Sequence, residues 1–290
     1  MTSPMQFSTL NNGVDMPLLG LGTYLAVPED TSSAVSTAID AGFRLIDTAA
    51  VYDNEREVGA GIAESGIDRR DLFVTTKLWT TDYGSDSALR AFDDSLAKLG
   101  LDYVDLYLLH WPVPSSFEAT VASYQAIEKI HADGRARAIG VSNFTPEHLD
   151  DLIARTNIVP AVNQVELHPY FTQDAVREAN RKHHIVTQAW SPIGGVNIRK
   201  AAEPSSARAI LTHPVVLDIA VTHGKTPAQV VLRWHIENGI SAIPKSVHPE
   251  RIRENFDVWD FTLSADEISA IDVIDTGIRG GSDPDTFGRA

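Results

Sequence analysis

Short apolar runs follow one another along the chain, each succeeded by a stretch with helical spacing, and this alternation limits the fold more than any other feature. The eight runs are "LLGLGT" (18–23), "FRLIDT" (43–48), "LFVTTK" (72–77), "VDLYLLH" (104–110), "ARAIGVS" (136–142), "AVNQVEL" (161–167), "IVTQAW" (185–190) and "ISAIPK" (240–245). They recur about every thirty residues, the interval of a βα unit with parallel strands. Helical spacing occupies Thr31 to Ala41, Ser85 to Leu99, Glu118 to Ala132, Pro146 to Arg155 and Asp174 to His183. Thr145-Pro146 and Thr226-Pro227 set a capping residue before a first-turn proline.

Eight strands joined by helical crossovers predict an α/β fold, a (β/α)₈ TIM barrel with its chemistry at the carboxyl ends of the strands. Ahead of the first strand, "FSTLNNGVDMPLLG" has Asn12-Gly13 between short alternating runs and reads as a hairpin able to plug the barrel bottom. Stretches 215–239 and 264–274 imply extra helices near the C-terminus. No linker or composition shift divides residues 1–290, so one barrel domain is expected. The competitor, a doubly wound dinucleotide-binding sheet, needs three glycines, and "GLGTYL" has Leu25 where the third belongs.

Charge narrows the partners. A formal net charge of −15 repels phosphate backbones and anionic membranes, so neither nucleic acid nor a membrane surface is an expected partner. With no cysteine, thiolate nucleophiles and cysteine-ligated metals are excluded. The opening "MTSPMQFSTL" lacks the basic and apolar segments of a signal peptide, and no run approaches a membrane span; a cytoplasmic protein is expected. His183-His184 falls at a helix end and no H-E-x-x-H occurs, so no metal site is expected either.

The polar residues at the strand ends are Asp47, Lys77, His110, Ser142-Asn143, Gln164 with Glu166, Trp190-Ser191 and Lys245. Singly, each has a structural explanation: an aspartate caps a helix, and a buried lysine or histidine finds a partner. Asp47, Lys77 and His110 on adjacent strands, with Tyr52 close behind, make a chemical set. A phenol is a weak acid, and a nearby ammonium is expected to lower its pKa. Lys77 could supply that ammonium and Asp47 its counter-charge. His110 could donate a hydrogen bond to the point the phenol reaches, and two donors on one point suit a carbonyl oxygen becoming an alkoxide. The set describes carbonyl reduction, with Tyr52 as proton donor and a hydride from elsewhere.

In order along nearly the whole chain, "GVDMPLLGLGTY", "FRLIDTAAVYDNE", "TTKLW", "DLYLLHWP", "AIGVSNF", "VNQVELHP" and "IPKSVHPERIRENFDVWDFTLS" resemble the aldo-keto reductases, in particular the bacterial 2,5-diketo-D-gluconic acid reductase branch. The resemblance implies a catalytic tetrad of Asp47, Tyr52, Lys77 and His110, and NADPH bound without a Rossmann domain. It further implies that Ser142, Asn143 and Gln164 bond the nicotinamide carboxamide, with Trp190, followed by Ser191, stacked on the ring. Lys245, Ser246, Arg251, Glu254 and Asn255 would hold the adenosine 2′-phosphate and adenine. Lysine and arginine near a helix opened by Pro249 also read physically as an anion site on an acidic protein. Tyr24, Trp79 and Trp111 match positions that line the family's substrate site, and aromatic walls favour a broad range of carbonyl compounds.

Two departures stand out: Ile193 replaces a common leucine in "SPIGG", and His248-Pro249 replaces more basic residues found in some relatives. Diketo sugar acids, dicarbonyls and simple aldehydes all stay open as substrates, and a monomer is expected. The alternative function is a nucleotide-binding regulatory subunit with little turnover, as in the potassium-channel β subunits that share this barrel. The tail "DTGIRGGSDPDTFGRA" either folds over the pocket or frays.

Overall fold

A computed structural model of the chain describes residues 5–194 and 207–288. Gly195, the last residue of "SPIGG", and the final two residues of the tail lie outside them. An antiparallel hairpin comes first, β1 (Phe7–Thr9) and β2 (Asp15–Pro17), turning at Gly13 with φ 84°. Then follow β3 (Leu21–Gly22), α1 (Pro28–Ala41), β4 (Leu45–Asp47), α2 (Glu55–Ser65), β5 (Phe73–Leu78) and α3 (Ser85–Leu99). The alternation continues through β6 (Val104–Leu109), α4 (Phe117–Ala132), β7 (Ala136–Ser142), α5 (Pro146–Arg155), β8 (Val162–Glu166), α6 (Asp174–Lys182) and β9 (Val186–Trp190). Helices α7 (Pro214–His223) and α8 (Pro227–Glu237) precede β10 (Ser241–Ala242), and α9 (Pro249–Phe256) and α10 (Ala265–Asp272) follow it.

Strands β3 to β10 form one parallel sheet in chain order, and single bridges from Leu19 to Ala242 and Gly22 to Lys245 close it into the expected barrel. The first and last strands are shorter than their apolar runs because Pro244 has no N–H to continue the ladder; its carbonyl instead accepts from Gly22 N at 3.0 Å. Gly22 is needed at this seam, since a Cβ there would lie 2.8 Å from the Ile243 carbonyl oxygen. The glycines of "GLGTYL" therefore serve barrel closure, not a nucleotide turn.

Inside the barrel, Leu10 and Met16 of the hairpin pack against Leu45, Phe73, Leu106, Ala138 and Ala161, so the hairpin plugs the lower end as expected. A larger apolar layer lies between the strands and the surrounding helices. The C-terminal helices α7, α8 and α10 add a separate cluster around Trp234 and Ile271. No helix among the described residues is long and apolar enough to cross a membrane.

Asp105 fixes the lower ends of the strands that carry Lys77 and His110. Its buried carboxylate accepts from Val74 N at 2.9 Å, Arg69 Nη2 at 2.6 Å and Arg137 Nη1 at 2.7 Å, joining β5, β6 and β7. Removing one side of such an arrangement leaves the others unpaired. Asp105→Ala is expected to lower stability by about 2 kcal/mol or more, read from the denaturant midpoint; a change within about 0.5 kcal/mol would contradict this role.

Candidate active site

β4 and β5 are hydrogen-bonded neighbours, and their parallel register brings Asp47 and Lys77 together at the upper end of the barrel. Lys77 Nζ lies 2.6 Å from Asp47 Oδ1, 2.9 Å from the Thr48 carbonyl and 3.4 Å from the Tyr52 hydroxyl. Both members of the ion pair are shut off from solvent. Tyr52 ends a short 3₁₀ turn, Ala50–Tyr52, directly after β4. His110 follows β6, and its ring centroid is 5.7 Å from that of Tyr52, edge-on. The four residues expected to act together do meet.

Their electrostatics are set by burial. Desolvation pushes the Asp47 carboxyl up and the Lys77 ammonium down from their ordinary values, and each charge offsets part of the other's shift. Contrary to the sequence expectation, the Tyr52 phenol is not lowered: burial first, then the Asp47 carboxylate, push it well above 10.0. The ammonium 3.4 Å from the hydroxyl does not outweigh burial and the carboxylate. The phenol therefore stays protonated in the resting protein, which is what a proton donor requires. Burial, with the Lys77 charge second, drives the His110 imidazole well below 6.5 and keeps it neutral. Its Nδ1 is buried without a partner, so the tautomer with the proton on Nε2 is the less costly one.

Neighbouring strands surround this centre with amides. Asn143, at φ 66° just past β7, donates to the His110 carbonyl at 3.0 Å and to Ser142 Oγ at 3.2 Å, and accepts from Trp190 Nε1 at 2.8 Å. Ser142 Oγ donates to the Gln164 carbonyl at 2.7 Å, and Gln164 Nε2 donates to Asp47 Oδ2 at 2.7 Å. Ser191 follows Trp190 in a left-handed conformation, φ 51°. Ser142, Asn143, Gln164 and Trp190 thus form one connected wall. Glu166, two residues beyond Gln164, is taken up elsewhere: its carboxylate accepts from the Gly280 and Gly281 amides at 2.7 and 2.8 Å.

The second group lies around α9. Lys245 Nζ donates to the Leu25 carbonyl at 3.3 Å, and Ser246 Oγ accepts from His248 N at 3.1 Å. Arg251 is exposed, Asn255 is buried, and Glu254 Oε1 accepts from Thr226 Oγ1 at 2.8 Å. The Lys245 bond joins this group to the tetrad, because Leu25 adjoins Tyr24, whose ring lies 5.1 Å from that of Tyr52.

Aromatic walls stand over the centre. Trp79 meets His110 edge-on at 5.1 Å, and Phe287 stacks on Trp111 at 4.0 Å and meets Trp79 at 5.8 Å. The tail therefore folds over the pocket, held by Glu166 at one end and Trp111 at the other. The sequence reading assigned nothing to Phe287, although it is the only aromatic residue in that glycine- and aspartate-rich tail. Also unassigned were Tyr83, whose hydroxyl donates to the Trp111 carbonyl at 2.6 Å, and Asn54, whose amide holds the Thr23 and Ala26 carbonyls. Among the described residues no cluster of His, Asp or Glu could hold a metal ion.

A barrel plugged by a hairpin, with an Asp–Lys pair beneath a tyrosine and a histidine, can be compared with known proteins. The model of the "Aldo/keto reductase family" matches residues 18–276. The chain belongs to the aldo-keto reductases. It is 57% identical to the morphine 6-dehydrogenase of Pseudomonas putida over 95% of its own length and 93% of that protein. It is 43% identical to the Escherichia coli methylglyoxal reductase DkgA, covering 96% and 97% of the two chains. Among solved structures, the Bombyx mori aldo-keto reductase in complex with NADP superposes with a TM-score of 0.89 at 34% identity, covering 99% of this chain and 98% of that one.

Because His110 is buried neutral while an unfolded imidazole titrates near 6.5, the unfolded chain binds more protons at mildly acidic pH. The stabilisation is complete above pH 6.5 and is lost as pH falls below it. Histidine ring nitrogen NMR should show His110 neutral, with its proton on Nε2, throughout roughly pH 5 to 8; a His110 ring that titrates near 6.5 would contradict this.

Proposed function

We propose that this aldo-keto reductase is an NADPH-dependent carbonyl reductase that converts aldehydes, ketones or dicarbonyls to alcohols, with Tyr52 as the general acid. The observation that carries the reading is the Lys77 ammonium held between Asp47 at 2.6 Å and the Tyr52 hydroxyl at 3.4 Å, beside a neutral His110.

The residues fit a nicotinamide cofactor. Gln164 Nε2 donates within the chain, to Asp47 and Gln188, so its Oε1 is the group that would meet a carboxamide N–H. Trp190 is held by Asn143 as one wall of the same region. Lys245 and the exposed Arg251 provide cations for a 2′-phosphate, which favours NADPH over NADH. Similarity to a reductase solved with NADP supports the same choice. When bound, the cofactor supplies the hydride.

The chain's own groups do the rest. His110 Nε2–H and the Tyr52 hydroxyl donate to the carbonyl oxygen, drawing charge onto it. The Tyr52 proton moves to that oxygen as the alkoxide forms, and the Lys77 ammonium 3.4 Å away stabilises the phenolate left behind. Burial and the Asp47 carboxylate outweigh this effect in the resting protein and keep the phenol protonated until the carbonyl oxygen gains charge. Tyr24, Trp79, Trp111 and Phe287 give the centre aromatic walls, which suit varied carbonyl compounds. Likeness to a methylglyoxal reductase and a morphine 6-dehydrogenase supports small dicarbonyls and cyclic ketones or alcohols as the classes to test.

Tyr52→Phe is expected to reduce kcat for NADPH-dependent methylglyoxal reduction by roughly 10²-fold or more while leaving the NADPH dissociation constant nearly unchanged. Near-normal turnover in that variant would overturn the proton-donor role. Arg251→Ala should weaken NADPH binding by roughly tenfold and NADH binding far less; equal losses for both would remove the case for 2′-phosphate recognition.

A further inference from the structure

Behind the tetrad, a line of buried hydrogen bonds crosses the barrel interior. Gln164, Gln188 and Ser241 sit on the adjacent strands β8, β9 and β10 in one register, Gln164 opposite Gln188 and Ser241 opposite Gln188. All three are buried. Ser241 Oγ donates to the Pro17 carbonyl of the plugging hairpin at 3.2 Å, and Gln188 Nε2 donates to Ser241 Oγ at 3.1 Å. Gln188 Oε1 in turn accepts from Gln164 Nε2 at 2.7 Å, and Gln164 Nε2 also donates to Asp47 Oδ2 at 2.7 Å.

The direction of this line is dictated by its ends. A carbonyl and a carboxylate can only accept, so hydrogens must point toward Pro17 at one end and toward Asp47 at the other. The Ser241 hydroxyl gives its single hydrogen to Pro17, so its oxygen accepts from Gln188 and the Gln188 amide nitrogen must face it. The oxygen of Gln188 then faces Gln164, whose nitrogen answers both that oxygen and Asp47. Turning either amide over would set nitrogen against nitrogen or oxygen against carboxylate. In a buried network each such mismatch leaves polar atoms unsatisfied.

We propose that Gln188, supported by Ser241, is a positioning residue that locks Gln164 with its amide nitrogen on Asp47 and its amide oxygen toward the nicotinamide carboxamide. This rests on the reading of the site as one that binds a nicotinamide cofactor. The consequence is a preference: the site asks for an N–H donor on the nicotinamide substituent, and the residue that asks for it is bonded to the carboxylate of the tetrad. Gln188 touches neither cofactor nor substrate and acts through Gln164.

The test compares dissociation constants, by quenching of tryptophan fluorescence, for NADP⁺ and its acetylpyridine analogue, in which a methyl group replaces the amide NH₂. The wild-type protein should prefer NADP⁺ by roughly fivefold or more. In Gln188→Met, of similar volume but without the amide, the preference should fall to within about twofold, chiefly through weaker NADP⁺ binding. Ser241→Ala should move the ratio in the same direction, and Ser241→Thr, which keeps the hydroxyl, should restore it. Unfolding midpoints measured alongside separate folding from binding, and Ser241→Ala carries the test if Gln188→Met fails to fold. An unchanged ratio in folded Gln188→Met and Ser241→Ala would overturn the positioning role while leaving the cofactor reading intact. If the wild-type protein binds neither compound, the cofactor reading itself fails and the inference fails with it.

Discussion

A lysine ammonium and an aspartate carboxylate, both withdrawn from water inside one end of a barrel, are tolerable only as partners. Desolvation penalises each charge by several kcal/mol, and their attraction offsets this only with good geometry and further hydrogen bonds on the remaining atoms. Here the pair lies at 2.6 Å, the Thr48 carbonyl accepts from the ammonium, and Gln164 donates to the second carboxylate oxygen. Parallel pairing of β4 with β5 supplies the proximity. The contacts to Tyr52, Gln164 and, through Gln164, Gln188 all follow from satisfying that pair.

The barrel serves this pair from below and above. Below, the apolar hairpin plug and the Asp105 cluster hold the strands that deliver the charged residues. Above, aromatic rings and the returning tail restrict water, which strengthens electrostatic effects on a reacting carbonyl. The tail is held at both ends of its crossing, by the Glu166 carboxylate on the Gly280 and Gly281 amides and by Phe287 on Trp111. Its role in shaping the pocket thus depends on two contacts far apart in sequence.

What could be read in advance followed from local pattern. Strands such as 104–110 are largely apolar runs ending in a polar residue, and the hairpin has its Asn-Gly turn, so the barrel, its plug and the meeting of Asp47, Lys77 and His110 at the strand ends were legible. Helix α2 was not identified among the sequence's helical stretches; its "EREVGAGIAES" has two interior glycines that weaken the helical signal. One of them, Gly59, lets the helix approach the Leu99 carbonyl, a packing reason invisible in the sequence. Phe287 and Tyr83 were missed because their partner Trp111 is remote along the chain, and no spacing rule connects them. The Tyr52 pKa was misjudged in direction because a sequence names the neighbouring charges but not how deeply the phenol is buried; burial first and the Asp47 carboxylate second outweigh the ammonium.

The most direct test of the central claim is a double-mutant cycle on Asp47→Asn and Lys77→Met, reading kcat/KM for carbonyl reduction. If the two residues act as one unit behind Tyr52, each single change should cost roughly 10²-fold or more, and the double variant should be no worse than the more damaged single one. Losses that multiply in the double variant would mean that Asp47 and Lys77 act independently, and the account of a coupled pair supporting the phenol would be wrong.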